Sequence, residues 1–86
     1  MKNKTIIHQQ LQQILINMGI AEKAITEQAS FYKDLGLDSL DFTELIIELE
    51  FTFSTEIPTL EAEKIQTIRQ ATDYLTSRLA KVKQAN

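Results

Sequence analysis

Residues 39–53 read Ser-Leu-Asp-Phe-Thr-Glu-Leu-Ile-Ile-Glu-Leu-Glu-Phe-Thr-Phe, and the spacing of their apolar side chains suits one regular element. At about 100° per residue, Phe42, Leu45, Ile46, Leu49 and Phe53 fall in a single stripe, the core face of an amphipathic helix. Leu40, Ile47 and Phe51 fall on the opposite side with Glu44, flanked by Asp41 and Glu48. Three aligned apolar residues among acids make an exposed docking stripe the expected use of that face. Ser39 stands where a helix N-cap is expected, and Asp38 beside it can cap as well.

The remaining stretches follow the same period. Thr5 can cap a first helix whose stripe is Ile7, Leu11, Ile14, Leu15 and Met18, with Gly19 as its stop signal. Residues 20–38 form a long connection in which Ile25, Phe31, Leu35 and Leu37 are apolar anchors. A structureless loop of that length is unusual in a compact domain, so a short helical turn is expected at Glu22–Ala24 or Phe31–Leu35. Gly36 is expected to supply a backbone conformation that a Cβ would resist, presenting Ser39 at an exposed corner. Pro58 opens a short helix, Thr59 to Lys64, too short to stand alone, with Ile57, Leu60, Ala62 and Ile65 held by neighbours. Thr67 caps a last helix with the stripe Ile68, Ala71, Leu75, Leu79 and Val82, and Lys81–Asn86 frays into solvent. No alternating run competes, so the fold expected is all-α, a four-helix bundle of three long helices and one short one with a long first connection.

Composition narrows the chemistry. Eighty-six residues, 43% hydrophobic and 24% charged, make one domain with a modest core. There is no cysteine, hence no disulfide, no thiolate nucleophile and no Cys-based zinc site. His8 is the only histidine, on the polar, Gln-rich face of the first helix, where exposure to solvent is expected. A serine hydrolase built on Ser39 would lack a base, and the Gly-x-Ser-x-Gly elbow is missing. Asp34, Asp38 and Asp41 do not follow the alternate-residue pattern of an EF-hand loop. No segment approaches the ~20 apolar residues of a membrane span, and the N-terminus does not read as a secretory signal, so a cytoplasmic location is expected. Net acidity without a basic-aromatic stripe argues against nucleic acid.

Charge is unevenly placed. From Asp34 to Glu63 there are nine acids (Asp34, Asp38, Asp41, Glu44, Glu48, Glu50, Glu56, Glu61 and Glu63) and no Lys or Arg. The rest of the chain holds three acids and all nine bases, so −9 and +6 give the net −3. Such a polarised field steers partners of opposite charge.

The run Asp34-Leu35-Gly36-Leu37-Asp38-Ser39-Leu40-Asp41 resembles the attachment site of acyl carrier proteins. The similarity to the bacterial fatty-acid type continues through Ala29-Ser30-Phe31, Glu44-Leu45, Leu49-Glu50, Thr55-Glu56-Ile57-Pro58, Glu61-Ala62-Glu63-Lys64-Ile65 and Asp73-Tyr74-Leu75, across about residues 5–80. It implies one acyl-carrier domain over residues 1–86 with a basic tail at 81–86, working as a monomer and catalysing nothing. It further implies 4′-phosphopantetheine carried covalently on the Ser39 hydroxyl, with Asp38 beside it, supplied by a phosphopantetheinyl transferase. Leu40, Asp41, Glu44, Ile47, Glu48, Phe51, Glu56 and Ile57 would meet basic patches on acyl-chain enzymes. Ile46, Leu49, Ile57, Ala62 and Ile65 would line a shelter for the acyl chain. Phe51, Thr52 and Ser54 stand where fatty-acid carriers often have acids. A carrier dedicated to a specialised polyketide, aryl-polyene or lipid pathway, or a scaffold with the carrier fold, is therefore the alternative.

Overall fold

The computed structural model describes residues 3–84, with side chains described for residues 3–80. Its elements are α1 (Lys4–Asn17), a 3-10 turn (Glu22–Ala24), α2 (Ser39–Phe53), α3 (Thr59–Ala62) and α4 (Ile68–Gln84). Helix α1 packs against both α2 and α4. The core lies between them, with Ile7, Leu11, Leu15, Leu45, Leu49, Ile68 and Leu75 almost wholly buried. The stripes read from the sequence are the faces that pack, Ile14, Met18 and Leu79 at their half-buried margins.

Helix ends show where local chemistry decided. Asn3, not Thr5, caps α1, its side-chain oxygen accepting the Ile6 amide at 2.9 Å. A side-chain amide carbonyl is a better cap than a Thr hydroxyl, so the helix starts earlier than expected. At the other end Gly19 takes φ +100°, and the amides of Gly19 and Ile20 donate to the carbonyls of Ile16 and Leu15. That is the paired closure in which glycine avoids the strain a Cβ would bring. Helix α4 begins with a reciprocal cap: Thr67 Oγ1 accepts the Gln70 amide, and Gln70 Oε1 accepts the Thr67 and Gln66 amides. Its backbone is helical through Gln84, past the point at which fraying was expected. The side chains of Val82 and of the basic tail lie outside those described.

The long connection is ordered by pairing with the start of α4. Phe31 donates its amide to the Gln66 carbonyl, and Ile68 and Arg69 donate theirs to Ala29 and Glu27, all at 3.0 Å. Ser30 and Thr67 thereby form an isolated antiparallel bridge. Ile25, Phe31, Leu35 and Leu37 are buried, as their spacing predicts. Glu22–Ala24 is the helical turn; Phe31–Leu35 instead forms hydrogen-bonded turns.

Helix α3 is one turn long and ends at Ala62, short of Lys64. It is hung from its neighbours. Glu50 Oε2 accepts the Ile57 amide at 2.7 Å, and Glu61 accepts from the Tyr74 hydroxyl and pairs with Arg78 at 3.4 Å. Ile57, Ala62 and Ile65 are buried, but Leu60 is 75% exposed, against the expectation that it is held inside. Leu60 and Ala62 are two residues apart, about 200° around a helix, so one turn cannot bury both.

Burial first, and then the hydrogen bond it donates to Glu61, pushes the Tyr74 phenol from 10.0 up to about 12. The neutral phenol is thus favoured by folding, so its contribution is complete below pH 10 and disappears as pH rises from 10 through 12. Between those limits the wild-type chain should lose stability more steeply with pH than Tyr74→Phe, as measured by urea midpoints. Equal slopes would show that folding does not raise the Tyr74 phenol.

Candidate functional site

The chain alternates between anchored and exposed residues as it approaches α2. Leu35 is buried, Gly36 turns the backbone with φ +74°, and Leu37 is buried with its amide bonded to the Phe31 carbonyl. Asp38, Ser39 and Leu40 then stand exposed, and Phe42 returns to the core. Space for a Cβ at Gly36 is open, so what reserves the position for glycine is the left-handed backbone.

Ser39 is the first residue inside the helix and Asp38 is its cap, so the capping role expected of Ser39 passes to its neighbour. Asp38 Oδ1 accepts the Asp41 amide at 2.8 Å and Asp41 Oδ2 accepts the Asp38 amide at 3.2 Å, a closed capping box. The aspartate out-competes the serine because its carboxylate also meets the positive end of the helix. Among the described residues no hydrogen bond engages the Ser39 hydroxyl. The hydroxyl is free for chemistry because another side chain closes the helix.

A groove of about 570 Å³ opens beside Ser39 between α2 and α3. Phe42, Ile46, Ile57, Ala62 and Ile65 form its apolar wall. Four of the five residues expected to shelter a chain are therefore together. Leu49 is not among them: it is 1% exposed and turned into the centre of the bundle. The sequence reading missed Tyr32, Thr43, Thr59 and Ile47 at the groove. Tyr32 stacks on Phe42 with ring centres 5.4 Å apart, and Phe42 also meets Phe31 at 5.6 Å. The signal for Tyr32 would have been proximity of the connection to α2, which periodicity does not encode.

The outer stripe is exposed as its phase predicts: Leu40 68%, Ile47 57% and Phe51 84%. Glu44, Glu48 and Glu56 are exposed and Asp41 half-exposed. Ile57 departs from the expected docking set, since it is 4% exposed and faces the groove. Pro58 caps α3, so Ile57 precedes the helix and follows neither stripe. His8 is partly covered, where exposure to solvent was expected.

The acids divide by use. Asp34 accepts the Ser30 amide, Asp38 and Asp41 close the capping box, Glu50 holds Ile57, and Glu61 holds Tyr74 and Arg78. Glu44, Glu48, Glu56 and Glu63 have no hydrogen-bond or ion-pair partner among the described residues. Lys4 and Arg69 pair with Asp73, away from the acidic stretch.

A family model described as "Phosphopantetheine attachment site" matches residues 9–75. A solved structure of acyl carrier protein from Enterococcus faecalis is 35% identical, with 90% of this chain and 99% of that chain covered and a TM-score of 0.77. The chain belongs to the phosphopantetheine attachment family, and within it to the acyl carrier proteins. Members are non-catalytic carriers whose prosthetic group is phosphopantetheine. The site fits such a group: an unengaged hydroxyl stands at a helix start, with the amides of Ser39 and Leu40 unpaired toward solvent and a groove alongside.

Because Asp38 and not Ser39 closes the helix, Asp38→Ala should cost about 1 kcal/mol of stability, whereas Ser39→Ala should cost a few tenths at most. Urea unfolding of the two variants checks this; equal losses would contradict the capping assignment.

Proposed function

We propose that Ser39 bears the 4′-phosphopantetheine arm. On it the chain carries acyl groups as thioesters and delivers them to enzymes of fatty acid or related lipid biosynthesis. The carrier domain spans residues 1–86, with its core at about 5–80, and acts in the cytoplasm as a monomer. The observation that carries the reading is the free Ser39 hydroxyl at the exposed start of α2, opening onto an apolar groove. A phosphodiester there is favoured by the unpaired amides and the helix dipole, which offset the nearby carboxylates of Asp38 and Asp41.

Leu40, Asp41, Glu44, Ile47, Glu48, Phe51 and Glu56 form the face that a phosphopantetheinyl transferase and the acyl-chain enzymes meet through basic patches. Rim charge of this kind speeds encounter without demanding tight binding, which suits a shuttle. Ile46, Ala62, Ile57 and Ile65 shelter the chain, and their burial in the present state is that of a small core able to open. One observation favours a dedicated carrier in a specialised pathway: Phe51 is 84% exposed at the far end of the stripe, an apolar contact in place of a charge.

Co-expression with a phosphopantetheinyl transferase should add the mass of one arm to the wild-type chain and nothing to Ser39→Ala. An unshifted wild-type mass would leave a scaffold with the carrier fold; a shifted alanine variant would move the site elsewhere. Ile47→Ala and Glu44→Lys should each slow transfer severalfold with melting temperatures within about a degree of wild type, since both residues are exposed. Raised salt should slow transfer in the wild type more than in Glu44→Lys. A large fall in melting temperature, or rates flat in salt, would remove this face from docking.

A further inference from the structure

Phe31, Phe42 and Tyr32 are half of the chain's six aromatic residues, four Phe and two Tyr. They stand in a row that runs from the core to the groove beside Ser39. Phe31 is wholly buried, and Phe42 is buried with its ring against it. Tyr32 leans on Phe42 at an interplanar angle of 36°, yet 49% of it stays exposed. Tyr32 and Phe42 both line the groove, and the rest of its apolar wall is aliphatic.

We infer that Tyr32, backed by Phe42, is a stacking site that selects cargo bearing a flat, conjugated acyl group, aryl or polyenoic. This rests on the carrier reading for the tether that brings such a group to the groove. An aromatic ring with one side covered and the other open is ready to stack, and such pairs gain beyond the area they bury. The backing is firm, because Phe31 holds Phe42 and is itself held by burial and by its amide bond to the Gln66 carbonyl. Among the described residues the Tyr32 hydroxyl has no hydrogen-bond partner, so the ring's place owes nothing to it.

The aliphatic wall offers a saturated chain less. Ile46, Ile57, Ala62 and Ile65 are already buried, so such a chain reaches their surface only by parting α2 from α3. The open part of Tyr32 already meets water, and a guest that covers it gains that area without opening the core. Charge sets a further limit. Glu50 and Glu63 line the groove and no base does, so a cargo with a carboxylate of its own is disfavoured there and a neutral one suits it.

The test is an NMR titration of the unmodified full chain with two thioesters of N-acetylcysteamine, cinnamoyl and 3-cyclohexylpropanoyl. The two acyl groups have the same number of carbons, but only the first is flat. The saturated one is the more apolar, so burial alone would favour it. The cinnamoyl thioester should instead bind roughly threefold tighter or more, with ring-current shifts centred on Tyr32 and Phe42. Tyr32→Leu should abolish or invert that preference, and Tyr32→Phe should keep it. Each preference is a ratio of two ligands on one variant, so a loss of stability does not imitate the effect. Equal or inverted affinities in the wild type would overturn the proposal, as would a preference that survives Tyr32→Leu. So would cinnamoyl shifts gathered at Leu40, Ile47 and Phe51, since the guest would then lie on the outer stripe. The titration needs no arm on the serine, so its outcome is read separately from whether Ser39 accepts one.

Discussion

Leu37 and Phe42 hold the start of α2 from both sides, and the exposure of everything between them follows from that clamp. Leu37 is fixed by burial and by its amide bond to the Phe31 carbonyl; Phe42 is fixed between Phe31 and Tyr32. Phe31 is therefore common to both anchors, and its own amide ties it to Gln66 just ahead of α4. Four intervening residues cannot reach the interior while both ends are pinned there. Ser39 is presented to solvent by the packing of its neighbours, and no feature of the serine itself is required.

The same economy governs the acidic stretch. Nine acids without a base look like one electrostatic device, yet five of them close a cap, a turn or a tether. Those carboxylates still contribute their charge to the field, but their orientation belongs to the fold. Glu44, Glu48, Glu56 and Glu63 are the ones free to reorient toward a partner. Replacing a tethering acid would disturb the backbone and the field together; replacing a free one changes the field alone. Only the second kind separates docking from folding.

What was legible in the sequence was whatever a helical period encodes. The core faces of α1, α2 and α4 and the exposure of Leu40, Ile47 and Phe51 follow from spacing. The Asp38-Ser39-Leu40 motif pointed to the family by resemblance, and the phosphopantetheine attachment-site match over residues 9–75 shows that family. Errors gathered where a period has too few residues to act on, or where contact is between segments distant in sequence. Leu60 was assigned inward on a single helical turn. Leu49 was assigned to the groove because stripe position alone does not tell the side of a helix that meets α3 from the side that meets α1. The Ser30–Thr67 pairing joins residues far apart in the chain and left no local pattern. Of the two caps offered at the start of α2, Ser39 and Asp38, the aspartate closes the helix.

A groove that is to shelter a chain, as proposed for this one, needs a wall that can yield, and α3 has the construction of one. Its single turn supplies too few internal hydrogen bonds to persist alone. It is positioned instead by Glu50 on the Ile57 amide and by Glu61 on Tyr74 and Arg78, contacts at its two ends. Within the helix itself only Ala62, its last residue, is buried, and alanine offers little apolar surface to hold it down. The opposite wall belongs to α2, whose fifteen residues pack along a full stripe. A guest entering from Ser39 would therefore displace α3 and leave α2 in place. On the proposed reading α2 would keep the docking face constant whatever the cargo, because Leu40, Glu44, Ile47 and Phe51 all ride on it. The proposed carrier function would then divide its two tasks, with α3 yielding to cargo and the outer face of α2 meeting partners.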